Sequence, residues 1–250
     1  KSNELIPKLE KENLKLCSGW YGANLLKNSV KEELSLMKEQ LDLFKECDAP
    51  CIVFAEVSGS IQGEVKTPLS KRPILNKDEW KTFYYKINEI SKYMEDSDMP
   101  LAYHHHMGTV VQSQEDTERL IDNTSDTVRL LIDTGHMMFA GGDFVKIAKD
   151  YSSRLHHIHC KDIRKDVLEN SLKNDLSFID AFFAGAFTVP GDGCINYEIF
   201  LKLLKGFNYN GWLVVEAEQD PRKANPLEYG KIGFNHLKKI ALNCGFDITR

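Results

Sequence analysis

Val128-Arg129-Leu130-Leu131-Ile132-Asp133-Thr134-Gly135-His136, followed by Leu155-His156-His157-Ile158-His159-Cys160-Lys161-Asp162, decides how the chain is read. Each stretch is a short run of strand-forming residues that ends in groups able to bind a metal or move a proton. Runs of this length, apolar on both faces, mark strands buried on both sides of a parallel sheet. The segment between the two runs is long enough for a helix, so together they make one strand–helix–strand unit.

The unit repeats to either side. Further runs rich in β-branched and aromatic residues lie at 14–21, 51–57, 100–106 and 212–218, and each gap holds a helical pattern. Ser29 and Glu32 form a capping box ahead of Leu34, Met37, Leu41 and Phe44 on one helix face. Asn76 and Glu79 do the same ahead of Trp80, Phe83, Ile87, Ile90 and Met94. Asn225 caps a third helix, with Pro226 at its first position and an apolar face of Leu227, Ile232, Leu237 and Ile240. No Gly/Ser linker breaks the series, so residues 1–250 are predicted to be one domain, an α/β barrel of the (β/α)8 type. Such a barrel needs eight strands and six are counted. The chain opens in what reads as the end of a helix, 4–13, so a strand–helix–strand portion is expected ahead of it, or the barrel closes another way.

Composition narrows the function. Of 250 residues, 42% are hydrophobic and 28% charged, which is globular and not disordered. The 32 basic and 37 acidic residues leave a net charge of -5, and no basic block is present to bind nucleic acid. No run is long enough for a membrane span, and the first residues do not form a signal peptide. The six cysteines, Cys17, Cys47, Cys51, Cys160, Cys194 and Cys244, contain no Cys-x-x-Cys pair and read as reduced thiols of a cytoplasmic protein.

Seven of the eight histidines fall between 104 and 159, at three successive strand ends. In a parallel barrel that face carries the active site. Strand alternation puts His157, His159 and Lys161 on one face, Asp133 with Leu131, Glu216 and Glu218 with Val214, and His104 and His106 opposite His105. A barrel can therefore aim His104, Asp133, His159 and Glu216 at one point, a mixed N/O set that suits Mn, Co, Zn or Fe better than Ca. Glu218, Lys161, His105 and His136 are the candidates for proton transfer. Lys161, beside a divalent ion, is expected to have a lowered pKa and to serve as a neutral amine. Glu56, Gln62, His106 and His157 are candidate substrate contacts. Pro190-Gly191-Asp192-Gly193 is a turn whose glycines would let backbone approach a ligand.

Asp133-Thr134-Gly135-His136, His157-Ile158-His159-Cys160-Lys161-Asp162 and the strand-terminal Glu216 resemble the xylose-isomerase-like sugar isomerase/epimerase barrels. Several blocks are similar, more narrowly, to the inosose dehydratase family of inositol catabolism. These are Tyr103-His104-His105-His106-Met107-Gly108-Thr109, Phe187-Thr188-Val189-Pro190-Gly191-Asp192-Gly193 and Val214-Val215-Glu216-Ala217-Glu218-Gln219-Asp220-Pro221, with Ser60-Ile61-Gln62-Gly63 and Ala224-Asn225-Pro226-Leu227-Glu228-Tyr229 in support. In the wider superfamily a Glu stands where this chain has His104, which makes His104 the least secured of the four donors; His106 or a water could take its place. The resemblance implies two further N-terminal strands, a Mn or Co ion, a glutathione requirement, and dehydration of 2-keto-myo-inositol (scyllo-inosose) to a trihydroxycyclohexane-1,2-dione. The implied partner is that small cyclic keto-polyol, bound by a monomer or a homo-oligomer, with no nucleic acid or membrane. The rival readings are an isomerase or epimerase on the same barrel, a metal phosphodiesterase, and a barrel that binds without catalysing.

Overall fold

A computed structural model describes residues 1–248. Six strands form one parallel sheet in the order β1 (Trp20–Ala23), β2 (Ile52–Glu56), β3 (Leu101–His104), β4 (Val128–Asp133), β5 (Leu155–Cys160) and β8 (Leu213–Val215). Between β5 and β8 the chain makes a small antiparallel ribbon of β6 (Asp162–Ile163) and β7 (Phe187–Thr188). All six predicted strands are present, but the first is displaced. Residues 14–19 remain outside it, with Leu14 60% exposed, and pairing starts at Trp20.

The connecting helices are α1 (Ser2–Lys11), α2 (Val30–Glu46), α3 (Lys77–Asp96), α4 (Gln114–Asp122), α5 (Thr134–Phe139), α6 (Phe144–Asp150), α7 (Lys165–Lys173), α8 (Phe178–Ala184), α9 (Tyr197–Gly206) and α10 (Pro226–Asn243). Both capping boxes form, Ser29 with Glu32 on α2 and Asn76 with Glu79 on α3. The expected apolar stripe of α3 is buried throughout. In α10 the expected face is half right: Leu237 is buried and Ile240 packs on the core, but Leu227 and Ile232 are exposed, and Gly233 and Ala241 are buried instead. Residues five apart stand about 140° from one another around a helix, whereas 233, 237 and 241 lie one above the other. Among the described residues no helix is long and apolar enough to cross a membrane. All six cysteines are free thiols.

Three apolar layers hold the site in place. The outer face of β2 and β3 packs Phe54, Leu101 and Tyr103 on α2 and α3. The outer face of β4 and β5 packs Leu130, Ile132 and Ile158 on α6, α9 and α10. Phe139, Phe178 and Phe187 join the ribbon, α7 and α8 in a third cluster above the strand ends. Inside, Cys51, Val53, Ala102 and Leu131 form a small apolar floor. Polar residues on the inner face above that floor have nowhere to go but into one another.

Candidate metal centre and its surroundings

His104 ends β3, Asp133 ends β4, His159 lies near the end of β5, and Glu216 follows β8. Register sets Asp133 beside His159 and His159 beside Val214, so Glu216 stands one inward position higher. The four donor atoms all lie within 4.8 Å of one another. His159 Nδ1 is 2.9 Å from Glu216 Oε2 and 3.6 Å from Asp133 Oδ2, and His104 Nε2 is 3.5 Å from Asp133 Oδ2. Two of these groups are pre-aimed. His104 Nδ1 donates to the His105 carbonyl at 2.6 Å, which leaves Nε2 with its lone pair facing inward. Asp133 Oδ1 accepts from the His136 amide at 2.8 Å, capping α5 and freeing Oδ2.

Asp133 Oδ2, His159 Nδ1 and Glu216 Oε2 are buried without a well-formed hydrogen bond, facing one another and Lys161 Nζ, which lies 3.1–3.3 Å from the two carboxylate oxygens. Donor atoms of these types converging on one point fit a divalent cation. Burial opposes ionisation of Asp133, but Lys161, His136, His104 and His159 outweigh it and hold the carboxyl well below its usual range. Glu216 is held down to about 2, because Lys161 and His159 overcome the same burial. Burial alone would lower His159, but Glu216 and Asp133 raise it to about 9. Burial lowers His104.

A second group adjoins the first. Lys161 Nζ lies 2.7 Å from Glu218 Oε2, 2.9 Å from His136 Nε2, 3.1 Å from Glu216 Oε2 and 3.3 Å from Asp133 Oδ2. His106 Nε2 is 3.7 Å from Glu218 Oε1. In the ion-free protein burial works against the ammonium, but Asp133, Glu216 and Glu218 together hold Lys161 well above the usual lysine range. His136 is lowered to about 3 by burial, His106 and Lys161. Glu218 is ionised despite burial, through Lys161 and His136.

A cavity of about 460 Å³ opens over both groups. His104, His106, His159, Glu216, Glu218 and Gln62 line it, with Trp20 and Phe178 as apolar walls. Lys161 and His136 stand behind Glu218, outside the lining. His157 sits lower in the interior, its Nε2 3.1 Å from Ser18 Oγ, and does not line the cavity. Two further candidates point elsewhere. Glu56 is on the helix side of β2, where its oxygens accept from the Leu25 and Ser58 amides at 2.6 and 2.7 Å. His105 also faces outward, its Nε2 accepting from the Asp133 amide at 3.3 Å. Each shares strand parity with outward apolar residues, Phe54 for Glu56 and Tyr103 for His105, so the alternation that found the donors also excludes these two from the interior.

The 190–193 turn approaches a side chain and not a ligand. Asp162 accepts from the amides of Ile163, Gly191 and Ile195 at 2.8, 3.2 and 2.9 Å. A Cβ at Gly193 would overlap that carboxylate. Arg164 extends the tie through Asp192 at 2.6 Å and Thr188 at 3.1 Å, and Gln219 donates to Thr188 at 3.1 Å. Sequence reasoning missed this network, as it missed Trp20, whose ring packs edge-on against His104 and His106 at 5.4 Å. Trp20 opens β1, at the end away from the site, so its place in the strand gave no signal.

The model of the xylose isomerase-like TIM barrel family matches residues 3–240. The rhizopine catabolism protein MocC of Rhizobium meliloti is 40% identical over 241 residues, covering 96% of this chain and 74% of its own length. An inosose dehydratase of Clostridium perfringens is 41% identical over 233 residues, 92% of this chain and 78% of the relative. One from Clostridium beijerinckii is 40% identical over 239 residues, 95% and 80% respectively. Among solved structures, a probable 3-DHS dehydratase AsbF from Bacillus anthracis superposes with a TM-score of 0.68 at 13% identity, covering 95% of this chain and 80% of its own. That similarity speaks to the fold alone. The chain belongs to the xylose isomerase-like TIM-barrel family and, within it, with the inosose dehydratases.

Proposed function

We propose that this protein is a metal-dependent dehydratase, a carbon–oxygen lyase that converts 2-keto-myo-inositol to a trihydroxycyclohexane-1,2-dione and water. The observation that carries the reading is the convergence of buried donor atoms from Asp133, His159 and Glu216, with His104, beside an ionised Glu218 on one cavity wall. The relatives that bear the name inosose dehydratase support it. The cavity has the size of small-molecule sites.

His104, Asp133, His159 and Glu216 would hold the ion, which when bound supplies Lewis-acid stabilisation of the negative charge that develops on the ketone. Glu218 is the one proton-transfer candidate at the cavity wall. Its carboxylate takes the proton from the carbon next to the carbonyl, then returns it to the departing β-hydroxyl as water forms. The product enol tautomerises to the diketone. Lys161 and His136 act from behind: the ammonium keeps Glu218 ionised at rest and offsets negative charge near the reacting carbons, and neutral His136 accepts from that ammonium at 2.9 Å. Gln62 and His106 face the ring hydroxyls from the wall.

A preference for manganese or cobalt, a glutathione requirement, a cytoplasmic setting and residues 1–250 acting as one catalytic domain complete the proposal. The test is the mass of the product formed from the inosose by metal-loaded protein. A product lighter by one water supports the dehydratase; a product of unchanged mass indicates an isomerase or epimerase; an unaltered substrate indicates a binding module.

A further inference from the structure

Two donor groups lie side by side at the strand ends. One is the His104, Asp133, His159 and Glu216 set. The other is His106, His136 and Glu218, whose donor atoms also lie within 4.8 Å of one another. Two imidazoles and a carboxylate are a sufficient donor set for a transition ion. Two-ion centres hold their ions roughly 3.5–4 Å apart, so adjoining donor sets of this kind are what such a centre needs. Here a side chain stands in the second set. Lys161 Nζ touches its Glu218 Oε2 at 2.7 Å and its His136 Nε2 at 2.9 Å, and bridges to Glu216 and Asp133 of the first set.

We propose that Lys161 fills a latent second site for a divalent transition ion, and thereby limits the centre to one. The charges agree with this. Asp133, Glu216 and Glu218 bring three negative charges, and one divalent ion with one ammonium brings three positive. A second divalent ion beside the ammonium would leave a buried surplus of positive charge in a low-dielectric interior. The lysine cannot swing aside. It is 1% exposed, its backbone N–H and C=O are both bonded to Thr134 Oγ1, and its stem lies on Gly135. Removing it opens both the space and the charge deficit that a second ion would fill.

The inference rests on the reading of the first set as a metal centre, and one measurement separates the two. Equilibrium dialysis against Zn²⁺ with metal analysis should find one ion per chain in the wild type, two in Lys161→Ala and one in Lys161→Ala/His136→Ala. The wild-type count reads the first centre: none bound defeats that reading. The difference between wild type and Lys161→Ala reads the lysine: no increase, or an increase that survives loss of His136, overturns the proposal. Lys161→Ser is the second variant should the alanine form not fold, with the same expected count. Two ions in the wild type would overturn the proposal without any variant.

Discussion

Gly135 lies directly beneath the stem of Lys161: a Cβ on this glycine would stand 2.8 Å from Lys161 Cγ and 3.0 Å from both Cβ and Cδ. The glycine of the Asp-Thr-Gly-His stretch is thus the space through which the lysine reaches the centre. Gly135→Ala should push the stem away, at a cost of ~1–3 kcal/mol for overpacking. Because small displacements of catalytic groups are expensive, turnover should fall on the order of 10–100-fold. Gly230→Ala, also in a helix but with open space around it, should instead stabilise by ~0.5–1 kcal/mol. Thermal melts of the two variants should move in opposite directions; a shared direction would refute the packing argument.

Asp133→Ala and Glu216→Ala should each abolish both stoichiometric metal and formation of the diketone. Each variant removes one of the four donor atoms that converge within 4.8 Å of one another. Metal analysis of the purified variants, with an assay of product, checks this. Full turnover in wild-type protein stripped by a chelator would end the metal mechanism.

Metal affinity should depend steeply on pH. In the metal-free protein His159 titrates at about 9, because Glu216 and Asp133 favour its proton. Below that value the proton occupies the nitrogen that must face the ion, and the protonated fraction grows as pH falls. Affinity should therefore drop about tenfold for each unit below 9, with about one proton released per ion bound near pH 7. Calorimetry in buffers of different ionisation enthalpy measures that number. Binding that does not vary between pH 6 and 8 would contradict the assignment.

Asp162→Ala should loosen the roof of the site and not its floor. Three buried or half-buried amides, those of Ile163, Gly191 and Ile195, would lose their acceptor. The expected loss is ~2–4 kcal/mol, or a melting point lower by about 5–15 °C in a chain of this size. Amide exchange should quicken over 187–195 before it does in β3 or β4. Uniform quickening would show that the carboxylate is not a local tie.

Much of the site was legible because a strand has a period of two. Once Asp133 and His159 are placed at strand ends, parity alone puts His104, Glu216 and Glu218 on the same side. The capping boxes of α2 and α3 were legible for a similar reason, since they depend on residues three apart. The α10 face was read only in part: Leu237 and Ile240 pack as expected, but Leu227 and Ile232, though large and apolar, are exposed, and Gly233 and Ala241 pack in their place. Gly233 is chosen for closeness: a Cβ there would come within 2.6 Å of Val215 Cγ1. Hydrophobicity does not reveal that kind of packing. The ribbon β6–β7 was beyond reach because two residues carry no period.

The residue types and their spacing by themselves determined the six parallel strands and the grouping of His104, Asp133, His159 and Glu216 at their ends, since these depend on chain-local geometry. The surroundings that favour the charged form of Lys161 in the ion-free protein came only from tertiary structure. Sequence places one carboxylate, Asp162, beside it, and that one turns away to bind backbone amides. The three that hold its proton, Asp133, Glu216 and Glu218, arrive from β4 and from the segment beyond β8. Electrostatic energy depends on distance in space, and only the closed approach of those strands brings the carboxylates within 3.3 Å of one buried ammonium.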